Sequence, residues 1–213
     1  MSKRIPVTLV DQFGTTTGTV VSARRLCNPA DKNGEDPSAP TSPGHYVGYT
    51  VRRTSGVFTP VRGQQVTNQF GTFVLTVLSP VRLFVPTSKS LTSPPPPPDP
   101  GFDHFQCYKA TGGASGVRSV AVQDEFGTGQ VRLMKPVQLC VPVDKNGSGI
   151  PNPAAKLLCY RSRLLSGTLH GPKSPVFVNN QFGADTFNVV LGADQFCVPS
   201  SPSGAFLDGG SVD

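Results

Sequence analysis

The sequence has few of the residues that build long helices or aromatic cores. It contains no tryptophan, two methionines and 8% aromatic residues, whereas 22 prolines and 23 glycines make up about a fifth of its 213 residues. Because proline and glycine disfavour helix interiors, this composition excludes a mainly helical protein. The short apolar runs are rich in valine, which predicts strands joined by turns. We therefore expect an all-β fold.

Long apolar runs are also missing. No stretch approaches the ~20 residues that a transmembrane helix needs, so we expect no membrane span. The first residues, MSKRIPVTLV, lead into a strand pattern and contain no signal-peptide core. Motifs of the GxSxG, HExxH, Walker and GxGxxG types are absent from the sequence as well. We expect a protein that is not an enzyme and that uses no cofactor and no metal.

The charge is moderately basic and evenly spread. The chain has 19 Lys and Arg against 13 Asp and Glu, a net charge of +6, and no basic run exceeds two residues. Nucleic-acid binding is not expected, because it requires a basic patch. Two interpretations stay open: an excess that only aids solubility, or attraction to glycans or other polyanions.

One short motif, Asp or Asn followed by any residue, Phe and Gly, occurs four times. Its phenylalanines are separated by 57, 56 and 56 residues, which indicates tandem supersecondary units. An Asp or Asn side chain can accept a hydrogen bond from the backbone two residues on, and glycine tolerates positive φ. Each copy therefore predicts a strand-to-strand turn with its phenylalanine packed over the core. The copies are Asp11, Phe13 and Gly14; Asn68, Phe70 and Gly71; Asp124, Phe126 and Gly127; and Asn180, Phe182 and Gly183.

Each complete unit also has an opening strand and a closing strand. The openings are YVGYTV at 46–51, FQCYKA at 105–110 and LLCYRS at 157–162. The closings are RLCNP at 25–29, RLFVP at 82–86, QLCVP at 138–142 and QFCVP at 195–199. Unit 1 has no opening strand in this sequence. We expect tandem antiparallel β units of ~56 residues, each a small sandwich or barrel.

Four of the five cysteines occupy matched repeat positions. Units 3 and 4 have one cysteine in the opening and one in the closing, whereas unit 2 has Gly48 and Phe84 at those positions. Joint presence or joint absence is expected of bonded pairs, and the spacings fit neither a zinc site nor a catalytic thiol. The predicted disulfides are Cys107–Cys140 and Cys159–Cys197. They imply an oxidising compartment, so we expect an extracellular or cell-surface location.

Cys27, in the closing segment of unit 1, has no matched partner in the sequence. Three explanations stay open. The chain is part of a longer precursor whose signal peptide and opening strand precede Met1, or Cys27 is a buried free thiol, or it bonds another chain. In the last case the missing strand leaves an open sheet edge that a neighbouring subunit fills by strand addition.

Five consecutive prolines within residues 90–101 mark a domain boundary. Such a run forms a stiff polyproline II spacer. We expect an N-terminal β lobe of half of unit 1 plus unit 2, a proline-rich linker, a C-terminal β lobe of units 3 and 4, and a flexible tail. Their bounds are 1–89, 90–100, 101–199 and 200–213.

Two other features favour structural interpretations. The Asp-Lys-Asn-Gly runs at 31–34 and 144–147 resemble calcium loops, but they lack the alternating carboxylates and the closing glutamate, so turns are expected. His45 and His104 share one repeat position and His170 lies in a variable loop, which favours packing or capping over catalysis.

Taken together, these motifs resemble a known group. Cys-Tyr-Lys at the start of a unit, Asp-Gln-Phe-Gly in its middle, and Leu-Cys-Val-Pro with Asp-Lys-Asn-Gly at its end resemble tandem repeats of uncharacterised secreted bacterial proteins. The likeness covers nearly all of residues 4–199, although unit 2 lacks both cysteines. It implies export and a repeat architecture, and it assigns no functional residue.

We therefore expect a secreted or cell-surface structural protein that is not an enzyme. Its partners would be copies of itself, in a homo-oligomer or homo-polymer such as an extracellular filament assembled by β-strand addition. The alternative is an adhesion or binding module for glycans or other polyanions, acting through the variable loops 52–61, 110–117 and 162–174. The basic residues of these regions are Arg52, Arg53, Arg161, Arg163 and Lys173.

Overall fold

The computed structural model describes residues 4–55, 57–113, 116, 118–169, 175–189 and 192–201. Over these residues the chain is almost entirely antiparallel β structure, with one 3-10 turn at Ala39–Thr41, which confirms the all-β prediction. The strands of the first half are β1 (Ile5–Asp11), β2 (Gly14–Cys27), β3 (Asp31–Lys32), β4 (His45–Arg53), β5 (Val61–Asn68) and β6 (Gly71–Ser90). Those of the second half are β7 (Phe105–Gly112), β8 (Arg118–Asp124), β9 (Gly127–Pro142), β10 (Asp144–Lys145), β11 (Lys156–Gly167), β12 (Val176–Asn180), β13 (Gly183–Phe187) and β14 (Gln195–Ser200).

The strands form one continuous sheet. Its main path runs β10-β1-β2-β4-β6-β7-β9-β11-β14, and the shorter strands pair with this path or with each other. Within the described residues the two end strands, β10 and β14, do not pair with each other, so the sheet is not closed. No helix of this described part is long and apolar enough to cross a membrane.

Each motif copy forms the turn of a hairpin. The four hairpins are β1–β2, β5–β6, β8–β9 and β12–β13, and in each the motif Asp or Asn lies opposite the motif glycine. Only the two residues between them form the loop. Because successive side chains alternate between the two faces of a strand, this common register places one alternating set of apolar side chains from each hairpin in the core, whereas Val10 and Val74 lie on the opposite face and are exposed.

Strand pairing also crosses the boundary that the proline segment predicts. β6 pairs with β7 along Leu75–Phe84, and β12 pairs with the end of β6. Residues 1–89 and 101–199 therefore share one sheet rather than forming two separate lobes. The reason is that the segment at 90–100 reverses the chain, so that Phe105 returns to lie opposite Phe84.

Short antiparallel pairings connect each unit to the unit two positions away in the chain, and they involve equivalent repeat positions in all four cases. The second residue after each closing segment pairs with the strand before the motif turn two units away. The four bridges are Asp31 with Gln123, Ser88 with Asn179, Asp144 with Val10, and Ser201 with Thr67. Unit 1 is thereby tied to unit 3 and unit 2 to unit 4. Of the tail predicted at 200–213, Ser200 belongs to β14 and Ser201 is buried, and residues 202–213 lie outside the described part.

The core is shared among the units. The largest buried cluster includes Val66 and Leu75 of unit 2, Leu139 of unit 3, and Leu158 and Val198 of unit 4. A second cluster joins valines and leucines of all four units. A unit of ~50 residues alone can bury only a modest core, so this sharing supplies apolar burial that a separate unit would lack.

Candidate functional site: a gap between two strands of the repeat

The motif side chains close their own turns. In all four copies Oδ1 of the Asp or Asn accepts a hydrogen bond from the backbone N–H of the motif phenylalanine, at 2.8 or 2.9 Å. The motif glycines have φ angles from 94° to 153°, which are unfavourable for residues with a side chain. The local sequence alone therefore determines the turn.

The other polar atom of the motif side chain reaches a tyrosine two units away. Each of these tyrosines stands in an opening strand, directly after the cysteine position. The three hydrogen bonds join Tyr108 to Asp11 (2.6 Å), Tyr160 to Asn68 (3.0 Å) and Tyr49 to Asn180 (2.9 Å). The motif phenylalanines contact the same rings edge-on. These pairs are Phe13–Tyr108, Phe70–Tyr160 and Phe182–Tyr49, with centroids 5.0, 5.6 and 5.1 Å apart. Each pair combines apolar burial with one satisfied hydroxyl.

Burial controls the ionisation of the first pair. Loss of solvent raises the pKa of Asp11, while the hydrogen bonds from Tyr108 and from the Phe13 backbone oppose that shift. Burial and the adjacent Asp11 carboxylate raise the pKa of Tyr108. The phenol therefore stays protonated at neutral pH and acts as the donor.

The two disulfides lie side by side within the shared core. The bonds are Cys107–Cys140 and Cys159–Cys197, and in each the two residues lie directly opposite one another, with Cα atoms 3.9 Å apart. The sulfurs of Cys140 and Cys159 are 3.9 Å apart. Each bridge joins the opening strand of a unit to its closing strand.

Unit 2 replaces the disulfide with an aromatic ring. Gly48 lies opposite Phe84, as Cys107 lies opposite Cys140. A Cβ atom on Gly48 would come within 2.6 Å of the Phe84 ring, so the ring occupies the space of the missing side chain. Phe84 is buried in the same cluster as the disulfides. In unit 2 the two cysteines are therefore replaced together, by a glycine that leaves space and a phenylalanine that fills it.

Two closing segments have an unpaired edge. In β6, Leu83 and Phe84 pair with β4 on one side and with β7 on the other. In β9, Leu139 and Cys140 likewise pair with β7 and β11. The equivalent segment Arg25–Cys27 of β2 pairs only with β4, and Phe196–Val198 of β14 pairs only with β11, among the described residues. We call the space between these two edges the strand gap.

One ion pair links the two sides of the strand gap. Arg25 of β2 forms an ion pair with Asp194, just before β14, and one of its bonds, from Nη2 to Oδ2, measures 3.1 Å. This pair lowers the pKa of Asp194. Cys27 is a free cysteine that packs against the disulfide cluster. Burial raises the pKa of its thiol to about 11.

The motif turn of unit 3 is the one that lacks a tyrosine. Asp124 and Phe126 correspond to Asp11 and Phe13, but no described tyrosine contacts them. Lys89 lies there instead, with its ammonium 4.4 Å from the Phe126 ring centroid and in contact with Glu125. Burial lowers the pKa of Lys89 to about 8. Each of the other turns contacts the tyrosine of an opening strand two units away. For the turn of unit 3 that strand would be the opening strand of unit 1, and its place would be the strand gap.

The basic residues of the alternative hypothesis lie mainly on strands. Arg52 and Arg53 end β4, and Arg161 and Arg163 belong to β11, so these positions are not loops as the sequence suggested. The extended pairing partners β2 and β9 explain this difference. Lys173 lies outside the described residues, as does His170.

The remaining predicted positions have local roles in the structure. Asn33 and Asn146 adopt positive φ, as tight Asn-Gly turns require, within 31–34 and 144–147. The described residues contain no group of three or more His, Cys, Asp or Glu that could hold a metal ion. His45 is buried, and its Nδ1 lies 3.0 Å from the Pro43 carbonyl oxygen.

A family model described as a repeat of unknown function (DUF7450) matches residues 45–161, more than half of the chain. The chain belongs to this family. The DUF7450 match begins at the first residue of β4 and covers both complete units before unit 4, which confirms the expected membership of an uncharacterised repeat group. Comparisons with curated proteins and with solved structures found no match.

Sequence reasoning missed the role of the tyrosines. Tyr49, Tyr108 and Tyr160 follow the cysteine position of all three complete units, and this repetition was a readable signal. The hydrogen-bond partners of these tyrosines could not be predicted from the sequence of one unit, because each tyrosine contacts a turn two units away.

Proposed function

We propose that this chain is an exported structural repeat protein, not an enzyme, that forms a subunit of an extracellular polymer assembled by β-strand addition. The observation that carries this proposal is the strand gap, whose two unpaired edges are equivalent to edges that are filled elsewhere in the same molecule. An exposed strand edge is a template for pairing with another chain.

The chemistry of the repeat supports a structural role. The polar side chains of the motif are engaged in turns and in bonds between units, as Asn68 and Asn180 show by their burial. Such groups stabilise a fixed arrangement and are not held ready for a substrate. The absence of a reaction centre stays a prediction.

The disulfides support export. Cross-links of this kind persist in oxidising compartments and are rare in reducing ones. The bridges lie beside one another, with Cys107, Cys140 and Cys159 fully buried, which suits a protein that must keep its fold outside the cell without chaperones.

The polymer proposal is tested on material isolated from its native source without reduction. Negative-stain electron microscopy and light scattering are expected to show filaments or large oligomers that contain this chain. Monodisperse monomers at high concentration, in the same non-reducing buffer, would contradict it. A reduced sample is the matched control, since loss of the bridges weakens the strands that border the strand gap.

A second candidate, polyanion binding, is favoured by one observation. Arg132 and Arg163 lie directly opposite one another on β9 and β11, and both are exposed. Like charges at such a position are destabilising unless an anion lies between them. Retention on a heparin resin that falls with salt, and that the Arg132→Ser/Arg163→Ser variant loses, would support this function; passage at low salt would exclude it.

A further inference from the structure

We infer that the strand gap selects one kind of strand: an extended Cys-Tyr segment from outside residues 1–213 that runs antiparallel to β2, bonds its cysteine to Cys27 and places its tyrosine on the turn of Asp124 and Phe126. This inference rests on the proposed function and specifies the partner of the same site. The occupant is defined by the three filled copies of the site within this molecule.

The backbone requirement follows from those copies. β7 lies between the closing segments of β6 and β9, and β11 lies between those of β9 and β14. β4 lies between β2 and β6. Each opening strand is therefore paired on both edges by closing segments. A strand in the gap would be paired in the same way by β2 and β14, and it would continue the alternation of opening and closing strands.

The sulfur requirement follows from register. Cys27 stands 14 residues after its motif phenylalanine, as Cys140 does after Phe126. Cys107 lies directly opposite Cys140, and Cys159 directly opposite Cys197. A cysteine of the incoming strand would thus lie opposite Cys27, beside the existing disulfide cluster.

The tyrosine requirement follows from the same register. Tyr108 lies opposite Leu139, one position from the disulfide, and Leu26 holds that position in β2. A tyrosine opposite Leu26 would reach the turn two units away, which is the turn of Asp124. Asp124 lies beside Lys89 and accepts a hydrogen bond from Asn28, and its Oδ1 holds the Phe126 N–H at 2.8 Å.

Unsatisfied polar atoms around the gap give an independent indication. Arg25 Nε, Asn28 Oδ1 and Gln195 Oε1 are buried and have no hydrogen-bond partner among the described residues. Buried polar atoms in folded proteins are nearly always paired. All three belong to or adjoin the two strands that border the gap. A strand between β2 and β14 brings backbone donors and acceptors to them.

The covalent step is a thiol–disulfide exchange. The incoming cysteine arrives as a mixed disulfide with a small thiol such as glutathione. Cys27 loses its proton to solvent, and its thiolate attacks the sulfur of that cysteine. A new disulfide to Cys27 forms, the old one breaks, and the small thiol leaves as a thiolate, so no other oxidant is needed. The raised pKa of Cys27 makes this step slow at neutral pH and faster as pH rises.

The experiment uses a synthetic peptide of residues 104–111, HFQCYKAT, with its cysteine carried as a glutathione mixed disulfide. Intact mass spectrometry follows the formation of a covalent adduct, and non-reducing peptide mapping locates it. The expected product is one peptide per chain, on Cys27. A scrambled peptide of the same composition is the matched control, and it is expected to react at least about tenfold more slowly.

Two further arms separate the tyrosine from the cysteine. A peptide with Tyr108→Phe lacks the hydroxyl, and its affinity is expected to fall about tenfold, as for loss of a hydrogen bond to a charged group. On the protein, Asp124→Asn is expected to keep binding, because Asn68 and Asn180 hold their tyrosines by donating a hydrogen bond from Nδ2 to the hydroxyl, whereas Asp124→Ala is expected to weaken it. Cys27→Ser is expected to bind the peptide reversibly and to form no adduct.

The outcomes separate this inference from the polymer proposal. Equal reaction of the scrambled and the ordered peptide, or adducts on the other cysteines, overturns the inference while leaving filaments unaffected. Capture of the ordered peptide by a protein whose native form is monomeric supports the inference and overturns the polymer. In native material, Cys27 bonded to the cysteine of a Cys-Tyr segment outside residues 1–213 supports the inference; Cys27 bonded to another cysteine of residues 1–213, or free, overturns it.

Discussion

The hydroxyl of Tyr108 donates a 2.6 Å hydrogen bond to the carboxylate of Asp11, which lies two units earlier in the chain. The same contact recurs at Tyr49 and Tyr160 with the direction reversed, since there Nδ2 of an asparagine donates to the tyrosine hydroxyl. These contacts tie the two halves of the chain together. They also give the first prediction.

Asp11→Asn is expected to be tolerated, with a loss below about 1 kcal/mol, because an asparagine performs this role in units 2 and 4. Asp11→Ala is expected to cost about 2–4 kcal/mol, since it leaves the Tyr108 hydroxyl and the Phe13 N–H without their acceptor. Urea unfolding of the two variants measures the difference. Equal losses would show that the side-chain contacts contribute little.

The ionisation of Asp11 provides a second prediction. Its pKa is raised by burial and is held down in part by the Tyr108 hydrogen bond. A raised pKa means that the folded state binds the proton more tightly, so the carboxylate lowers stability as pH rises through that pKa. Tyr108→Phe is expected to raise the Asp11 pKa further. Carbon-13 titration of the Asp11 carboxyl tests this, and an unchanged or lower value would contradict the contact.

A third prediction concerns the aromatic substitute in unit 2. Gly48→Ala is expected to cost about 1–3 kcal/mol, because its Cβ overlaps the Phe84 ring. The double variant Gly48→Cys/Phe84→Cys removes the overlap and places two cysteines directly opposite one another. It is expected to form a third disulfide. On the loop-entropy model this bond raises the free energy of unfolding by about 3–4 kcal/mol, which offsets the loss of the buried Phe84 ring. Thermal unfolding with and without a reductant measures this gain; a double variant that keeps two free thiols would refute the register.

Removal of a native bridge gives the fourth prediction. Cys107→Ala/Cys140→Ala is expected to lower the free energy of unfolding by about 3–4 kcal/mol, since the bridge closes a loop of 33 residues. Because the core clusters combine several units, the loss is expected to lower one cooperative transition of the whole chain. Calorimetry that resolved a separate transition for unit 3 would instead favour independent units.

The histidines give a fifth prediction, on acid stability. Burial lowers the pKa of His45 and of His104 to about 4, with the nearby Lys89 and Lys145 contributing to the respective shifts. A lowered pKa means that the unfolded state binds protons first, so their contribution is fully present above pH 6.5 and is lost as pH falls toward 4. The loss at pH 5 is about 1–2 kcal/mol for each histidine. Urea midpoints at pH 7 and 5, compared with His45→Gln and His104→Gln, check it. If the unsubstituted protein and the two variants lose the same free energy of unfolding between pH 7 and pH 5, the prediction is wrong.

The sequence predicted the hairpins well because the determinants of a tight turn are local. Asp11, Phe13 and Gly14 contain the whole geometry of their turn, and the same holds for the other copies. The matched cysteines were informative for a related reason, since both members of each pair belong to one unit.

The pairing between units could not be obtained in this way. A repeat shows what each unit contains, but β3 pairs with β8 and β1 with β10 through contacts more than 80 residues apart. One signal was available: units 1 and 3 use Asp11 and Asp124, whereas units 2 and 4 use Asn68 and Asn180. This alternation matches the coupling of units two apart. The prediction of two lobes did not take this alternation into account. It treated the proline run as a domain boundary, whereas the chain returns there to the same sheet.

The closing segments of β2 and β14 have one unpaired edge each, and both proposals depend on these edges. Hydrogen–deuterium exchange of the oxidised chain detects them, because unpaired edge amides exchange with solvent while paired ones are protected. The segments Arg25–Cys27 and Phe196–Val198 are expected to exchange about tenfold or more faster than their equivalents Leu83–Val85 and Leu139–Val141, and to become protected when the Cys-Tyr peptide is added. Equal protection of all four segments in the free chain would show that these edges are not open to solvent and that no strand is missing between them.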